Sequence, residues 1–215
     1  FIFYPDSMNT LSISYEIAQQ NTEPQYPKVN SVNNPVHWLP YVDVMYINKT
    51  DADFSMFNDS TYLNGNLTLR PEGLSGKGQM DLSNSDLRSD LFTYKAHDIN
   101  SDTADFFLNS LHYEGFTVLS DNVNAHINYQ DQKGWFRSNE EFVLVEFPDN
   151  KYISYLDNFT WDMNKKELAM GSITASAEVD YTDEESEPEG PRYISIHYDQ
   201  DSLNFVSPLA YYDYE

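Results

Sequence analysis

The stretch NVNAHINY, from Asn122 to Tyr129, alternates polar and apolar side chains at every position. Successive side chains of a β-strand point to opposite faces of the sheet. This stretch would therefore place its valine, alanine, isoleucine and tyrosine on one face and its asparagines and histidine on the other. An antiparallel sheet with one buried face has this pattern. The stretch predicts a half-buried β-strand.

The same period-two alternation recurs along the chain, and residues that favour turns stand between the alternating segments. Turns are predicted at Asn64-Gly65, Gln132-Lys133-Gly134 and Pro148-Asp149-Asn150. The predicted strands follow one another at intervals of roughly 8–12 residues, as in sandwiches, barrels and solenoids. No convincing amphipathic helix interrupts them. The chain is therefore expected to be all-β.

Internal repetition bears on the choice among β architectures. The segments Asp102–Phe106 and Asp201–Phe205 share the order Asp, hydroxyl, apolar, Asp or Asn, Phe. A second theme, an aromatic strand followed by a charged turn and a return strand, occurs at Asn128–Phe136 and at Phe159–Met170. These repeats favour a repetitive β-solenoid or a rolled antiparallel sheet, with a β-sandwich as the alternative.

Composition divides the chain into four segments. Residues 1–50 form a β-rich lead-in whose place in the repeat is uncertain, and residues 51–178 form the β-repeat region. Residues 179–192 are an acidic loop, because DYTDEESEPEGP has little to bury. Residues 193–215 form a further β-repeat unit. The chain has no start Met and no export signal, and it is expected to be a fragment that continues beyond residue 215.

Charge and cysteine content exclude several functions. The chain has 35 acidic and 12 basic residues and a net charge of −23. Binding phosphate backbones or anionic membranes requires clustered Lys and Arg, so neither nucleic acid nor an anionic membrane is an expected partner. With no cysteine, disulfides and thiolate metal sites are excluded. No apolar run approaches the roughly 18 residues of a membrane-spanning segment.

No motif predicts catalysis, a cofactor or a metal. The segment Gly73–Gly78 lacks the spacing of a nucleophile elbow and the Ser or Thr of a P-loop, and it fits a strand whose glycines allow close backbone approach or a bend. The histidines have no zinc spacing, and 35 acidic residues make a glycosidase-like carboxylate pair uninformative. Calcium binding stays open, at either of two acidic sets: Asp98, Asp102 and Asp105, or Asp180, Asp183 and Glu184.

The three tryptophans are candidates for stacking on sugar rings. Trp161 alternates with Phe159 and Met163, which indicates a core position. Trp135 directly follows a predicted turn and is the better candidate for binding a glycan. Trp38 offers no such distinction.

Four sites combine Asp, then Ser or Thr, then a small apolar residue or Thr, whereas composition alone predicts roughly one. They resemble the O-glycosylation motif of exported proteins of the phylum Bacteroidota. The hydroxyl groups that would carry glycans belong to Ser7, Ser60, Thr103 and Ser202.

Longer segments resemble large, functionally uncharacterised exported β-repeat proteins of Bacteroidota. The resemblance spans about Ala52 to the C-terminus and is carried by five stretches, at residues 63–78, 89–94 followed by 102–106, 122–129, 145–161 and 193–213. It implies export, a β-repeat fold and a parent protein several times longer. Short repeated strands also give a faint likeness to the β-jellyroll units that carry lipopolysaccharide across the periplasm.

The expected function is therefore that of a non-enzymatic scaffold. The chain would be a structural or interaction segment of an O-glycosylated protein at the cell surface, outer membrane or periplasm of a Gram-negative bacterium. Its partners would be other protein subunits or other repeats of the same long chain. A conduit for lipid or lipopolysaccharide and a glycan-binding module are the alternatives.

Overall fold

A computed structural model describes residues 2–82, 84–111, 114–171 and 190–214. Within these residues all regular structure is β, which confirms the predicted class. The strands are β1 (Ile2–Phe3), β2 (Met8–Ile17), β3 (Val29–Leu39), β4 (Val44–Asn48), β5 (Phe54–Met56), β6 (Thr61–Arg70), β7 (Gly73–Asp81), β8 (Ser85–Tyr94), β9 (Asp98–Asn109), β10 (Phe116–Asn128), β11 (Lys133–Ser138), β12 (Val143–Phe147), β13 (Tyr152–Leu156), β14 (Asn158–Asp162), β15 (Glu167–Gly171), β16 (Arg192–Ser195), β17 (Asn204–Val206) and β18 (Leu209–Asp213).

The strands form one antiparallel sheet in which the chain runs up and down. We call each strand position across the sheet a lane. Some lanes are occupied by two short strands that lie end to end. For example, β4 and β5 both lie between β3 and β6, each pairing with a different half of those strands. The same relation joins β11 with β12, β13 with β14, β15 with β16, and β17 with β18. Every described pairing is antiparallel. This agrees with the rolled antiparallel sheet and with the β-sandwich of the prediction, and it does not confirm the solenoid.

The lanes are interrupted near their midpoints, along a line that crosses the sheet. In β3 and β10 the interruption is an asparagine in the left-handed region, Asn33 at φ 57° and Asn122 at φ 55°. In the neighbouring lanes it is residues 49–53 between β4 and β5, and residues 139–142 between β11 and β12. Bulges and breaks of this kind bend a strand. We call this line of interruptions the fold line.

The fold line divides the sheet into two layers. The first layer contains β5, β12, β13, β16 and β17, the second contains β4, β11, β14, β15 and β18, and the longer strands pass through both. The layers face one another. Phe57 and Tyr129 lie five lanes apart, roughly 24 Å in a flat sheet, yet their ring centroids are 4.6 Å apart. Phe147 and Tyr212, one from each layer, are 5.2 Å apart.

The hydrophobic core lies between the two layers. Its largest fully buried side chains include Phe106 from the first layer and Phe136, Phe159 and Trp161 from the second. A bulge keeps both halves of a strand facing inward. In β10, Val118 and Ser120 are buried before Asn122, and Val123, Ala125 and Ile127 are buried after it, so the parity of the inward positions changes at the bulge.

Two local predictions are wrong. Asn64-Gly65 is not a turn, because Gly65 lies inside β6 directly opposite Gly78 of β7. A Cβ at Gly65 would lie 1.9 Å from the Lys77 carbonyl oxygen, so these glycines allow close backbone approach at the fold line. The segments around Asp102 and Asp201 are not equivalent either. Asp102 lies in β9, whereas Asp201 has left-handed φ in the turn before β17.

Other predicted elements are present. The hairpins β10–β11 and β14–β15 correspond to the repeated aromatic hairpin, and β7 begins at Gly73 as a strand. Most of the predicted acidic loop lies outside the described residues, and Arg192 at its end already belongs to β16. The lead-in segment shares a lane with the repeat region, since β4 continues into β5. In the described part of the chain, no helix is long and apolar enough to cross a membrane.

Candidate functional site

The three tryptophans lie in different environments. Trp161 faces the core and is 2% exposed, and its Nε1 donates a hydrogen bond to the Tyr214 hydroxyl at 2.9 Å. Trp38 is 36% exposed on the inner face near one edge of the sheet. Trp135 is 38% exposed on the outer face of the second layer. The core position predicted for Trp161 and the surface position of Trp135 are both present.

Trp135 belongs to a cluster built from three neighbouring strands. Its ring stacks on that of His126 with the centroids 5.2 Å apart. The Nδ1 atom of His126 lies 2.6 Å from Asn100 Oδ1. An amide oxygen only accepts hydrogen bonds, so Nδ1 carries the proton of this bond. Nε2 is 3.6 Å from Asp98 Oδ1. The ring of His126 is thus held in a fixed orientation beside Trp135.

A second cluster of the same composition lies on the same face. His37 stacks on Tyr46 with the ring centroids 6.4 Å apart, and His37 Nδ1 is hydrogen-bonded to Asn9 Oδ1. Asn9, His37 and Tyr46 are direct cross-strand neighbours on β2, β3 and β4. Asn100, His126 and Trp135 have the same relation on β9, β10 and β11. The order Asn, His, aromatic ring is identical.

The histidine and the aromatic ring of each cluster belong to an internal structural repeat with an offset of 89 residues, from His37 to His126. Side chains from the interrupted lane donate to the backbone of the left-handed asparagine in both copies. Thr50 Oγ1 donates to the Asn33 carbonyl at 2.8 Å, and Asn139 Nδ2 donates to the Asn122 carbonyl at 3.2 Å. The equivalent pairs are Asn33 and Asn122, His37 and His126, Asp43 and Gln132, Tyr46 and Trp135, and Thr50 and Asn139.

Both clusters lie in one unbroken row of outward-facing positions that crosses the second layer at right angles to its strands. We call it the cross-strand row. At roughly 4.8 Å per lane it runs about 50 Å along the sheet. None of its residues carries a permanent charge, although the chain has a net charge of −23. The row consists of Asn9, His37, Tyr46, Thr68, Ser75, Thr93, Asn100, His126, Trp135, Thr160, Ala169 and Tyr211.

The positions beside the row differ on its two sides. Toward the fold line they are rich in amides, and the direct cross-strand pairs there include Asn48 with Asn66, and Arg137 with both Asn124 and Asn158. Toward the hairpin ends they are charged from β11 to β18, in the order Lys133, Asp162, Glu167 and Asp213. On β3 and β4 the equivalent positions are Leu39 and Val44.

A cleft of about 710 Å³ opens where the hairpin ends of the two layers meet, opposite the fold line. Leu82 and Tyr129 lie on its sides, and Trp161 and Tyr214 line it from the second layer. Burial raises the pKa of Tyr214 and of Tyr129 above the ordinary tyrosine value. Both phenols are therefore neutral at physiological pH. The cleft ends against Trp161, whose ring belongs to the core.

The predicted glycosylation sites lie in different parts of the surface. Ser60 and Ser202 are exposed in turns of the first layer, and Thr103 is exposed in β9 at the fold line. Ser7 is half-buried before β2. None of the four hydroxyl groups belongs to the cross-strand row, and the structure does not bring them together.

The structure also places one of the two acidic sets considered for calcium. Asp98, Asp102 and Asp105 all lie on β9, where their carboxylates accept hydrogen bonds from Asn128, Asn124 and the Asn122 backbone. In residues 2–82, 84–111, 114–171 and 190–214, no group of three or more metal-ligating side chains is close enough to hold an ion. The second set, Asp180, Asp183 and Glu184, lies outside the described residues.

Searches against protein-family models, curated proteins and solved structures found no match for this chain.

Sequence reasoning identified Trp135 but not the cluster around it or its second copy. A signal does exist, because Ser31, Asn33 and His37 have the same spacing as Ser120, Asn122 and His126. An aromatic residue follows each histidine at the same distance. Comparison of the chain with itself at one constant offset would have found this repeat.

Proposed function

We propose that this chain is a scaffold segment of a long exported protein of a Gram-negative bacterium and that its sheet continues into further repeats of the same chain. The segment is O-glycosylated and lies in the periplasm, at the outer membrane or on the cell surface. The resemblance to exported β-repeat proteins of Bacteroidota and the four O-glycosylation motifs support the compartment. The sheet itself supports the scaffold role.

The observation that carries the proposal is the outer edge formed by β17 and by residues 209–212 of β18. These strands pair with β16 and β15 on one side, and no described strand pairs with their other side. Tyr211 is 61% exposed on β18, and Leu209 and Phe205 are also exposed. Native proteins usually protect edges with charges or cover them, because an open apolar edge recruits another strand. A following repeat would supply that strand.

The internal repeat supports the identity of the partner. The unit β3–β5 occurs again as β10–β12 within the same continuous sheet, joined by an unbroken series of antiparallel lanes. A third unit paired to β18 would extend this arrangement without a change of topology. An edge-to-edge contact with another repeat is therefore the simplest continuation of the fold.

The packed interior favours a scaffold over a lipid conduit. A conduit needs a continuous apolar groove, whereas Phe106, Phe136, Phe159 and Trp161 fill the space between the described parts of the two layers. The cleft at the hairpin ends stops at this aromatic cluster.

Sedimentation velocity of the isolated chain tests the edge. The outer edge of β18 should pair with that of a second copy, giving concentration-dependent dimers. The double variant Leu209→Lys, Tyr211→Lys places charges on the edge strand and should abolish the dimer. The matched control, Leu144→Lys with Tyr155→Lys, changes an exposed cross-strand pair of the interior strands β12 and β13 and should leave it intact. A chain that stays monomeric at every concentration, or equal loss in both variants, would overturn the proposal.

A further inference from the structure

We propose that the cross-strand row binds an extended, uncharged polysaccharide that lies across the strands, with the His37–Tyr46 and His126–Trp135 clusters as two equivalent stacking positions. This inference does not depend on the pairing of the β18 edge, because the row lies on the outer face and the edge lies at its end.

The charge of the surface selects an uncharged ligand. A net charge of −23 repels polyanions, including acidic polysaccharides and nucleic acids. The row itself contains no carboxylate, and that of Asp98 beside it already accepts a hydrogen bond from Asn128 Nδ2 at 2.7 Å and lies 3.6 Å from His126 Nε2. A neutral ligand meets neither repulsion nor an unpaired charge in this row.

The side chains of the row match a ligand that is rich in hydroxyl groups. Amide, imidazole and hydroxyl groups both donate and accept hydrogen bonds, as sugar hydroxyls do. Trp135 and Tyr46 add large, amphipathic rings of low conformational entropy, the type of side chain that dominates contact energy at binding surfaces. The bonds from His126 to Asn100 and from His37 to Asn9 fix the imidazole rings in advance. Binding a ligand therefore costs these rings little conformational entropy.

The geometry of the row fits a long ligand. Between Tyr46 and Asn100 the row contains only the small hydroxyl residues Thr68, Ser75 and Thr93. Because these side chains are small, the surface between the two clusters is shallow. Six lanes separate Tyr46 from Trp135, a span of roughly 29 Å along the sheet. A chain long enough to reach both clusters gains avidity, whereas a short oligosaccharide occupies one cluster at a time.

Affinity gel electrophoresis measures this binding with defined probes. The folded chain is run through gels that contain a soluble β-1,3-glucan, a β-1,4-xylan, an α-mannan or dextran, with polygalacturonate as the anionic comparison. At least one neutral polysaccharide should retard the wild-type chain, and polygalacturonate should not. Trp135→Ala and Tyr46→Ala should each weaken binding of that polysaccharide about tenfold. The double variant should abolish the retardation.

Chain length and a matched variant give the controls. An oligosaccharide of the same linkage, too short to span both clusters, should bind at least about tenfold more weakly than the polymer. Its affinity should fall less in either single variant than that of the polymer does. Tyr155→Ala removes an equally exposed ring, 47% accessible, from the outer face of the first layer and should not change binding. Circular dichroism should show that all variants stay folded, since these rings are outside the core.

Three results would overturn the inference. The first is the absence of retardation by every neutral polysaccharide of the panel. The second is equal loss of binding in Trp135→Ala and Tyr155→Ala. The third is capture of a protein partner that requires Trp135 and Tyr46 but is not displaced by any of these polysaccharides, which would assign the row to protein recognition.

Discussion

The ring of Phe106 packs against the indole of Trp161 with the centroids 5.7 Å apart, although Phe106 belongs to the first layer and Trp161 to the second. In a flat sheet the three lane spacings from β9 to β14 would alone separate them by about 14 Å. Both side chains are fully buried or nearly so. A fold along the midline alone would keep this lateral separation, so the strands of the two layers must also cross at an angle where these rings meet.

Removing the ring of Phe106 tests the importance of this contact. Phe106→Ala would leave a cavity beside Phe136, Phe159 and Trp161, and we expect it to lower the free energy of unfolding by about 3–5 kcal/mol. Urea denaturation followed by circular dichroism measures the change. Phe142→Ala, which removes an exposed ring, is the control and should change stability by less than about 0.5 kcal/mol. Equal effects would mean that the layers do not pack through Phe106.

The glycines at the fold line give a second prediction. A Cβ at Gly78 would lie 2.3 Å from the Asn64 carbonyl oxygen, and Gly78 has φ +131°. Gly78→Ala should therefore cost more than about 2 kcal/mol of stability. Gly73 has a similar φ, +147°, but nothing lies within 4 Å of its Cβ position. Gly73→Ala isolates the backbone strain and should cost about 1 kcal/mol. A smaller effect at Gly78 than at Gly73, measured by thermal unfolding, would contradict the close approach.

Alkaline pH should destabilise the fold through buried tyrosines. Burial raises the pKa of Tyr129 above 10 in the folded chain, whereas an unfolded tyrosine titrates near pH 10. Above pH 10 the unfolded state loses this proton while the folded state keeps it, so stability is complete below pH 10 and falls as pH rises. Burial also raises the pKa of Tyr193, to about 12.

The variant Tyr129→Phe removes one of these ionisations. The free energy of unfolding between pH 10 and 12 should then fall less steeply, by about 1.4 kcal/mol per pH unit. At pH 7 the lost hydrogen bond to Thr61 should cost about 1 kcal/mol. Thr61→Val loses the same bond but keeps the phenol, and the wild-type pH slope should remain. Denaturation series at several pH values would show an unchanged slope in Tyr129→Phe if the ring were not buried.

Glycosylation of the natively produced chain is the fourth prediction. Glycans should be found at Ser60, Thr103 and Ser202, which are exposed, more completely than at half-buried Ser7. Intact mass followed by glycopeptide mapping measures this. Asp201→Glu keeps the charge but changes the motif and should prevent modification of Ser202 alone. A chain without added mass from the native host would remove the surface-glycoprotein part of the proposal.

The local features of the strands could be predicted from the sequence. Val123, Ala125 and Ile127 are buried, while Asn124 and His126 face outward, as the alternation predicts. The burial of Trp161 followed from the same pattern. Such predictions succeed because side-chain direction in a strand depends only on local geometry.

Features that depend on distant segments could not be predicted in this way. Gly65 looked like a turn residue because Asn-Gly favours turns, but its role depends on Gly78 in the next strand. The cluster of Asn100, His126 and Trp135 depends on the register of three strands, which alternation within one strand does not specify. In the sequence, only the repeated spacing of serine, asparagine and histidine indicates that register.

Hydrogen–deuterium exchange tests the scaffold proposal most directly. The backbone amides of residues 209–212 in β18 are compared between the isolated 215-residue chain and the protein purified from its native host, which under the proposal carries further repeats. If a following repeat pairs with this edge, these amides should exchange at least about 100-fold more slowly in the native protein. Amides of the interior strand β10 should be equally protected in both. Identical exchange of β18 in the two proteins would contradict the proposal that the sheet continues.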